Sequence, residues 1–208
     1  MLNIAVLVSG GGTNLQALID AQARAEIPGG QLALVVSSKT DAFALDRAQK
    51  AGIKAEVLLR KQFTEQKDYD EALLSLLDIY KIDLIVLAGF MTIISDRVIR
   101  HYDNKIINVH PALIPSFCGE GFYGLRVHEA VLQRGVKLTG ATVHFVNEVC
   151  DGGPVILQKA VEVQPDDTPE LLQRRVMEQA EWKLLPQAVA LFCEGKILVE
   201  NGKTRIKE

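Results

Sequence analysis

The sequence predicts an α/β protein with a doubly wound, mostly parallel central sheet, helices on both faces, and antiparallel strands in the C-terminal part. Three observations lead to this prediction. Short β-rich runs alternate with segments of helical period in the first half, a glycine-rich turn follows the first strand, and closely linked strands appear beyond Gly119. Alternation of strands and helices is typical of parallel strands joined by crossovers, whereas closely linked strands favour antiparallel pairing.

The elements of the first half follow one another in a regular order. The predicted strands are Ile4 to Val8, Leu32 to Ser37, Ala55 to Leu59, Asp83 to Gly89 and Lys105 to His110. Helical segments are predicted from about Asn14, over Ala42 to Ala51, and over Tyr69 to Tyr80. This alternation indicates a parallel sheet with right-handed crossovers, so the first half is expected to be doubly wound.

The second half carries a different pattern. Two strands are predicted, Gly140 to Val146 and Pro154 to Val163, joined by a turn-rich segment. A long helix follows towards Glu194, with Thr168 as its N-cap, Pro169 at its first position and a bend or break at Pro186. The last residues predict a two-stranded ribbon that turns at Asn201 and Gly202. No linker-like segment or repeat is present, so residues 1–208 are expected to form a single domain.

Composition limits the function classes. The chain has 208 residues, a net charge of -3 and a pI near 5.9, so nucleic acid is not expected as a partner. The apolar run from Ile4 to Val8 is far shorter than a signal h-region or a membrane span of ~20 residues. A cytoplasmic protein with small-molecule substrates and no membrane contact is expected, either monomer or homodimer. Its three cysteines are widely spaced and predict reduced thiols.

The first strand ends in the stretch SGGGTN, Ser9 to Asn14, and a helix follows at once. Glycines allow close backbone approach, and the free amides of a helix N-terminus together with Thr13 and Asn14 are suited to an anion. The stretch lacks the GxGxxG spacing and the lysine of a P-loop. A phosphate site is the favoured interpretation, and a tight turn capped by Thr13 or Asn14 without a ligand is the alternative.

The stretch INVHP places two polar side chains at the end of an apolar strand. Residues two apart in a strand point to the same face, so Asn108 and His110 are predicted to project together, about 7 Å apart. Pro111 ends the strand pairing at that point. An asparagine amide donates to a developing oxyanion, and a histidine exchanges a proton near neutral pH. The pair predicts acyl-transfer chemistry, with a strand-end cap and a semi-buried histidine as the structural alternatives.

Asp151, in CDGGP, is a candidate third member because the two glycines after it permit an unusual backbone path. Its carboxylate would orient the His110 ring or a water, unless Asp151 only caps its own turn. His144 is expected to be a packed strand residue. The sequence has no GxSxG motif and no metal-ligand spacing of histidines, so neither a covalent nucleophile nor a metal site is predicted.

The motifs together resemble the phosphoribosylglycinamide formyltransferase family, which uses 10-formyltetrahydrofolate in purine biosynthesis and has a Rossmann-like formyltransferase fold. The resemblance runs from Ile4 to about Pro186. It is carried by SGGGTN, VLAGFM, NVHPALIPSF, GATVHFV and DGGPVILQ, in family order. The short chain and the first loop favour this family over related hydrolases and transferases that carry additional domains.

The resemblance implies a role for each site residue. Catalytic roles fall on Asn108, His110 and Asp151. Binding of the ribonucleotide falls on Gly12, Thr13, Asn14 and Glu181. Binding of the folate cosubstrate falls on Lys67, Met91, Thr92, Ile93, Ile94, Asn108, Asn147 and Asp151, with no metal.

The chain departs from the family pattern at three places. Gln66 stands where many members have a basic residue and Lys67 is displaced by one position, the loop from Cys118 to Gly124 replaces a shorter stretch, and the register of residues 177–179 is open. Two other functions also remain open: a formyltetrahydrofolate hydrolase, and a non-catalytic domain that binds a phosphorylated metabolite.

Overall fold

The computed structural model describes residues 1–207, which form a seven-stranded sheet in the order β3-β2-β1-β4-β5-β6-β7 and a separate ribbon β8-β9. The strands are β1 Leu2–Val8, β2 Gly30–Ser37, β3 Lys54–Val57, β4 Leu84–Leu87, β5 Ile106–His110, β6 Leu138–Phe145, β7 Val155–Glu162, β8 Ile197–Glu200 and β9 Lys203–Ile206. The helices are α1 Thr13–Ala23, α2 Phe43–Lys50, α3 Gln66–Ile79, α4 Asp96–His101, α5 Leu125–Arg134, α6 Pro169–Val176 and α7 Trp182–Cys193. None of the helices within this range is both long and apolar enough to cross a membrane.

The predicted fold class is confirmed by the sheet. Strands β1 to β5 are parallel, β6 runs antiparallel to β5, and β7 runs antiparallel to β6. The strand order reverses between β1 and β4, because the chain builds outward through β2 and β3 before it returns to the other side of β1. Ligands of doubly wound sheets bind at such a reversal, outside the carboxyl ends of the strands.

Both faces of the sheet are covered, which explains why β1 and β4 read as unbroken apolar runs. Alternate side chains of β1 enter different cores: Ile4 and Val6 pack with residues of α1 and α7, whereas Ala5 and Leu7 pack with residues of α3 and α4. This alternation follows from the two-residue period of a strand. The buried β1 and β4 therefore form a rigid base for the loops at their carboxyl ends.

The C-terminal helix differs from its prediction. Thr168 is the N-cap, as predicted, and its hydroxyl accepts from the Leu171 N–H at 3.3 Å. The break expected at Pro186 is absent, and the helix instead contains a π-helical turn, Met177–Glu181, before α7. Pro186 is tolerated because its missing N–H removes only one bond close to the start of α7. π-helical turns often occur at functional sites, and this one ends on a predicted site residue.

The terminal ribbon forms as predicted. Asn201 and Gly202 both adopt the left-handed conformation, with φ of 51° and 72°, which a two-residue hairpin turn of this kind requires. The Thr204 hydroxyl bonds to the backbone carbonyl of Val155 and fixes the ribbon beside β7.

Candidate active site

The carboxyl ends of β1, β2 and β4 are tied together by Ser9. Its hydroxyl lies 2.6 Å from the Ser38 hydroxyl and accepts from the Met91 N–H at 2.8 Å. Ser9 begins the glycine-rich loop, and Met91 begins the predicted folate-binding segment. The two predicted binding segments therefore lie side by side at the point where the strand order reverses.

Asn108 and His110 lie on β5 beside this edge, as the strand period predicts. His110 is almost completely buried, with 4% of its surface exposed. On the β6 side, Asn108 lies opposite His144 and His110 opposite Thr142. The antiparallel partner strand therefore supplies the neighbours of both polar side chains.

Asp151 reaches the same place from the loop between β6 and β7. Its backbone is left-handed, with φ of 53°, and a side chain at Gly153 would collide with the Phe145 carbonyl. One carboxylate oxygen, Oδ2, accepts from the Gly119 N–H at 2.9 Å and lies 3.5 Å from His110 Nδ1. The other, Oδ1, lies 3.5 Å from Asn108 Nδ2. The structure thus brings together all three residues predicted to be catalytic.

His144 belongs to this cluster, although the sequence predicted only a packed strand residue. Its Nδ1 donates to the Phe145 carbonyl at 2.7 Å, so in the neutral ring Nε2 is an acceptor. Nε2 lies 3.2 Å from Asn108 Nδ2 and 3.6 Å from the Asp151 carboxylate. This arrangement fixes the Asn108 amide with its NH₂ group towards the cluster. The sequence signal was a histidine on the strand predicted to follow β5, but its register against β5 could not be read.

The protonation of the cluster follows from burial and hydrogen bonding. Because the Phe117 carbonyl is only an acceptor, the His110 Nε2 at 2.8 Å from it carries a proton. Burial lowers the pKa of His110 more than Asp151 raises it, so Nδ1 is unprotonated near neutral pH. Burial opposes ionisation of Asp151, but a hydrogen bond from His144 and the charge of His110, when these rings are protonated, together with the Gly119 N–H hold its pKa below the ordinary value. A proton acceptor, His110 Nδ1, therefore stands beside an ionised carboxylate.

We expect His144→Ala to lower kcat by roughly 10- to 100-fold, because small misplacements of a catalytic group have effects of this size. The substitution removes the acceptor that orients the Asn108 amide, while both substrate sites stay intact. Steady-state kinetics should show a fall in kcat with little change in either KM. His144→Gln, which retains an acceptor, should recover part of the loss. An unchanged kcat in the alanine variant would contradict a positioning role.

The glycine-rich loop leaves the start of α1 open. Gly12 is the N-cap in the left-handed conformation, and no side chain caps the helix. The capped-turn alternative therefore fails, because neither Thr13 nor Asn14 forms that cap. A side chain at Gly12 would collide with Ala44 of α2, whereas Gly10 and Gly11 face open space. Gly10 and Gly11 thus leave open space beside the loop, while a glycine is required at position 12 by the packing against α2.

The side chain of Arg47 holds this loop, a contribution that the sequence did not reveal. Its Nε donates to the Gly11 carbonyl at 2.8 Å and its Nη1 to Gln16 at 2.9 Å. The guanidinium thereby fixes the loop and brings a positive charge next to the amides of α1. Both features favour an anion at this helix N-terminus.

The side chains of Asn14 and Glu181, both predicted to bind the ribonucleotide, are in contact. Asn14 Nδ2 donates to Glu181 Oε2 at 2.7 Å, and both side chains are buried. Burial raises the pKa of Glu181 to about 7, although the hydrogen bond from Asn14 lowers it. The Asn14 Oδ1 atom is also buried and has no hydrogen-bond partner among residues 1–207. The pair therefore offers an unused acceptor and a proton-sensitive carboxyl next to the loop.

The unliganded protein should become less stable as Glu181 ionises. The pKa of Glu181 in the folded protein, about 7, lies above the ordinary value of 4.5. The protonated carboxyl therefore adds to the free energy of unfolding, and this contribution is complete below pH 4.5 and is lost as the pH rises through about 7. Glu181→Gln cannot ionise and should therefore gain stability relative to the parent protein. We expect a relative gain on the order of 2 kcal/mol between pH 5.5 and 8. Urea unfolding at both pH values measures it, with the exposed Glu178→Gln as control. If the free energies of unfolding of the parent and of Glu181→Gln changed with pH in the same way, the raised pKa of Glu181 would be contradicted.

The predicted folate-binding segment exposes apolar side chains. Met91 is 50% and Ile93 83% exposed, whereas Ile94 packs on the core. In the loop between β6 and β7, Val149 is also exposed, and the Asn147 side chain shapes this loop by bonding to the Val149 N–H and the Gly152 carbonyl. Exposed apolar groups are suited to a flat ring system. Among residues 1–207, no His, Cys, Asp and Glu side chains are grouped as metal ligands.

Fold and site together define a class of protein: a doubly wound α/β enzyme with an amide, an imidazole and a carboxylate at the carboxyl edge of its sheet, suited to acyl transfer. Comparison with known proteins agrees. The family model described as formyl transferase matches residues 2–189. The chain therefore belongs to the formyl transferase family.

Individual relatives are similar over nearly the whole chain. Phosphoribosylglycinamide formyltransferase of Haemophilus influenzae is 40% identical over 202 residues, which cover 97% of this chain and 92% of the relative. The crystal structure of glycinamide ribonucleotide transformylase 1 from Symbiobacterium toebii has a TM-score of 0.94 and 40% identity, covering 100% of this chain and 95% of that one. A formyltetrahydrofolate deformylase from Pseudomonas syringae has a TM-score of 0.89 but 25% identity, and 66% of its chain is covered.

Proposed function

We propose that this protein transfers the formyl group of 10-formyltetrahydrofolate to the amine of N1-(5-phospho-D-ribosyl)glycinamide, giving the N-formyl product and tetrahydrofolate in purine biosynthesis. The observation that carries the proposal is the convergence of Asn108, His110 and Asp151 at the end of β5, on the same edge of the sheet as the open helix N-terminus after β1 and the exposed apolar segment after β4. The helix N-terminus is suited to a phosphate and the apolar segment to a pterin. Residues 1–208 act as one catalytic domain in this proposal.

The chemistry follows from a neutral His110 beside an ionised Asp151. The substrate amine attacks the formyl carbon, and Asn108 Nδ2 donates to the oxyanion that forms. One N–H of this amide faces His144 Nε2 at 3.2 Å, and the other makes a long contact of 3.5 Å with Asp151 Oδ1 that it exchanges for the oxyanion. The proton of the attacking nitrogen moves to His110 Nδ1, where the Asp151 carboxylate stabilises the imidazolium. Collapse of the intermediate breaks the bond between the formyl carbon and N10 of the folate, which receives the proton.

Each binding segment takes one substrate. The phosphate lies on Gly12, Thr13 and Asn14 of the glycine-rich loop, and Glu181 holds the ribonucleotide. The pterin lies on Met91, Thr92, Ile93 and Ile94 and beneath the loop that contains Asn147 and Asp151. The two substrates then approach each other at Asn108.

Tetrahydrofolate release with and without the ribonucleotide tests the proposal. We expect release only when both substrates are present, with the formyl group recovered on the glycinamide. Release with folate alone would identify a hydrolase. Absence of release under both conditions, with the ribonucleotide still bound, would identify a non-catalytic binding domain.

Asn14→Ala should raise the KM for the ribonucleotide by roughly 10- to 100-fold, the range expected when a hydrogen bond to a charged group is lost. The KM for the folate should change little, since Asn14 lies on the phosphate side of the site. Initial rates with each substrate varied in turn separate the two effects. Gln31→Ala, on the exposed surface of β2, is the control. Equal increases in both KM values would argue against a ribonucleotide site at Asn14.

A further inference from the structure

Thr142 lies beside His110 in a row of polar side chains that crosses the sheet. It is opposite His110 of β5 on one side and opposite Gln158 of β7 on the other. Residues that lie opposite each other on neighbouring strands point to the same face of the sheet. Thr142 is fully buried, with 0% of its surface exposed. A buried hydroxyl is costly unless it is hydrogen-bonded, so its partners show which groups it holds in place.

The Thr142 hydroxyl uses all of its hydrogen-bonding capacity. It donates to the Ala112 carbonyl at 2.7 Å and accepts from the Ile114 N–H at 3.1 Å. It also accepts from Gln158 Nε2 at 2.9 Å, and the same Nε2 donates to the Ile114 carbonyl at 3.0 Å. A hydroxyl has one donor and two acceptor positions, and all three are occupied. Side chains of β6 and β7 therefore hold three backbone groups of the loop that follows His110.

This loop, residues 111–117, brings the Phe117 carbonyl to His110. The Ser116 N–H donates to the Leu113 carbonyl at 2.9 Å, which closes a turn within the loop. Phe117 has a left-handed backbone with φ of 51°, a conformation that is unfavourable for a bulky residue. Its carbonyl lies 2.8 Å from His110 Nε2. Such a backbone persists only where the surrounding structure holds it, so the bonds on the earlier part of the loop contribute to the position of this carbonyl.

The Phe117 carbonyl decides which nitrogen of the His110 ring carries the proton. A neutral imidazole has one N–H, and two acceptors compete for it: the Phe117 carbonyl beside Nε2, and the Asp151 carboxylate beside Nδ1. The distance to the carbonyl is 2.8 Å and suits a hydrogen bond, whereas the carboxylate is 3.5 Å away. The proton therefore stays on Nε2 as long as the carbonyl keeps its place. If the loop moved, the proton would pass to Nδ1, where the carboxylate accepts it.

We propose that Thr142 is a positioning residue for His110: its hydroxyl fixes the loop that keeps the Phe117 carbonyl on Nε2, and thereby leaves Nδ1 free as the proton acceptor. The inference rests on the proposed function, in which Nδ1 receives the proton of the attacking amine. Thr142 acts through the backbone and touches neither substrate. Thr139, on the same strand, offers a matched comparison, since its hydroxyl is also buried but has no hydrogen-bond partner among residues 1–207.

Nitrogen-15 NMR of the histidine rings, assigned with the help of His110→Ala, measures the tautomer directly. At a pH above the pKa of His110, the parent protein should carry the ring proton on Nε2. Thr142→Val removes the hydroxyl from a side chain of similar shape, and it should move a large share of this proton to Nδ1. We expect kcat to fall by roughly 10- to 100-fold, with little change in either KM. Thr142→Ser retains the hydroxyl and should restore the tautomer and most of kcat, whereas Thr139→Val should behave as the parent does.

The pH profile is a second measurement that a purely structural role would not change. Burial and His144 lower the pKa of His110, whereas Asp151 and the bond to the Phe117 carbonyl raise it. Weakening this bond lowers that pKa further, so the acid limb of kcat/KM should lie at lower pH in Thr142→Val than in the parent. Gln158→Ala removes two bonds from an exposed side chain and should show the same two changes in smaller size, even if Thr142→Val folds poorly.

Two results would overturn the inference: a folded Thr142→Val protein that keeps the parental tautomer and acid limb, or a Thr139→Val protein that loses as much kcat as Thr142→Val does. Circular dichroism checks the fold of each variant. The tautomer is measured without substrates, so it does not depend on the reaction. If the parent transfers no formyl group to the ribonucleotide, the proposed function fails. If transfer proceeds and the tautomer of Thr142→Val is parental, only the assignment of Thr142 fails.

Discussion

Replacement of His110 by alanine should lower kcat by roughly 10²- to 10⁴-fold, the usual contribution of a positioned acid or base. The substitution removes Nδ1, which lies 3.5 Å from the Asp151 carboxylate and is unprotonated near neutral pH. No other neutral imidazole nitrogen in the cluster can replace it, because His144 Nε2 already accepts from Asn108. Single-turnover measurement of formyl transfer with saturating substrates isolates the chemical step.

The ribonucleotide should bind this variant nearly as well as the parent protein, since His110 bonds to Phe117 and faces Asp151, not the glycine-rich loop. Equilibrium titration of the ribonucleotide checks this point, and circular dichroism checks the fold. His101→Ala, a histidine exposed at the end of α4, should retain full activity. Turnover of His110→Ala at the parental rate would remove His110 from the mechanism.

Asp151→Asn should also lower kcat by roughly 10²- to 10⁴-fold, and it should change the pH dependence. The carboxylate raises the pKa of His110 against the effect of burial, so its loss lowers that pKa further. The parental pKa is already below the ordinary 6.5, and His110 accepts a proton only above its pKa. The acid limb of kcat/KM should therefore move to lower pH in the variant.

The pH profile separates this role from a structural one. A residue that only holds the loop would lower activity without moving the acid limb. Asp151 also accepts from the Gly119 N–H at 2.9 Å, and the asparagine oxygen can still accept this bond, so the loop should stay in place. Asp166→Asn, on the exposed loop before α6, provides the matched control. An acid limb that stays at its parental position would contradict the coupling of Asp151 to His110.

Local patterns predicted most of the fold because they reflect interactions close in sequence. The apolar runs of β1, β2, β4 and β5, the Thr168 cap and the Asn201-Gly202 turn depend on neighbouring residues and were found as predicted, whereas β3 is Lys54–Val57 instead of Ala55 to Leu59 and is exposed. Pro186 shows the limit of such rules. It marks a local preference for a break, but packing of α7 against α1 and the sheet keeps the helix continuous.

The sequence by itself determined the fold class and the candidate residues Asn108, His110 and Asp151, since strand period and turn chemistry are local. Only the tertiary structure decided what holds them: His144 opposite Asn108, the Phe117 carbonyl on His110 and the Gly119 N–H on Asp151. It also decided that the side chain of Lys67, predicted to bind the folate, is 69% exposed on α3 and lies 4.0 Å from Glu71. Strand register and side-chain burial set these contacts between distant parts of the chain, and neither can be read from a local pattern.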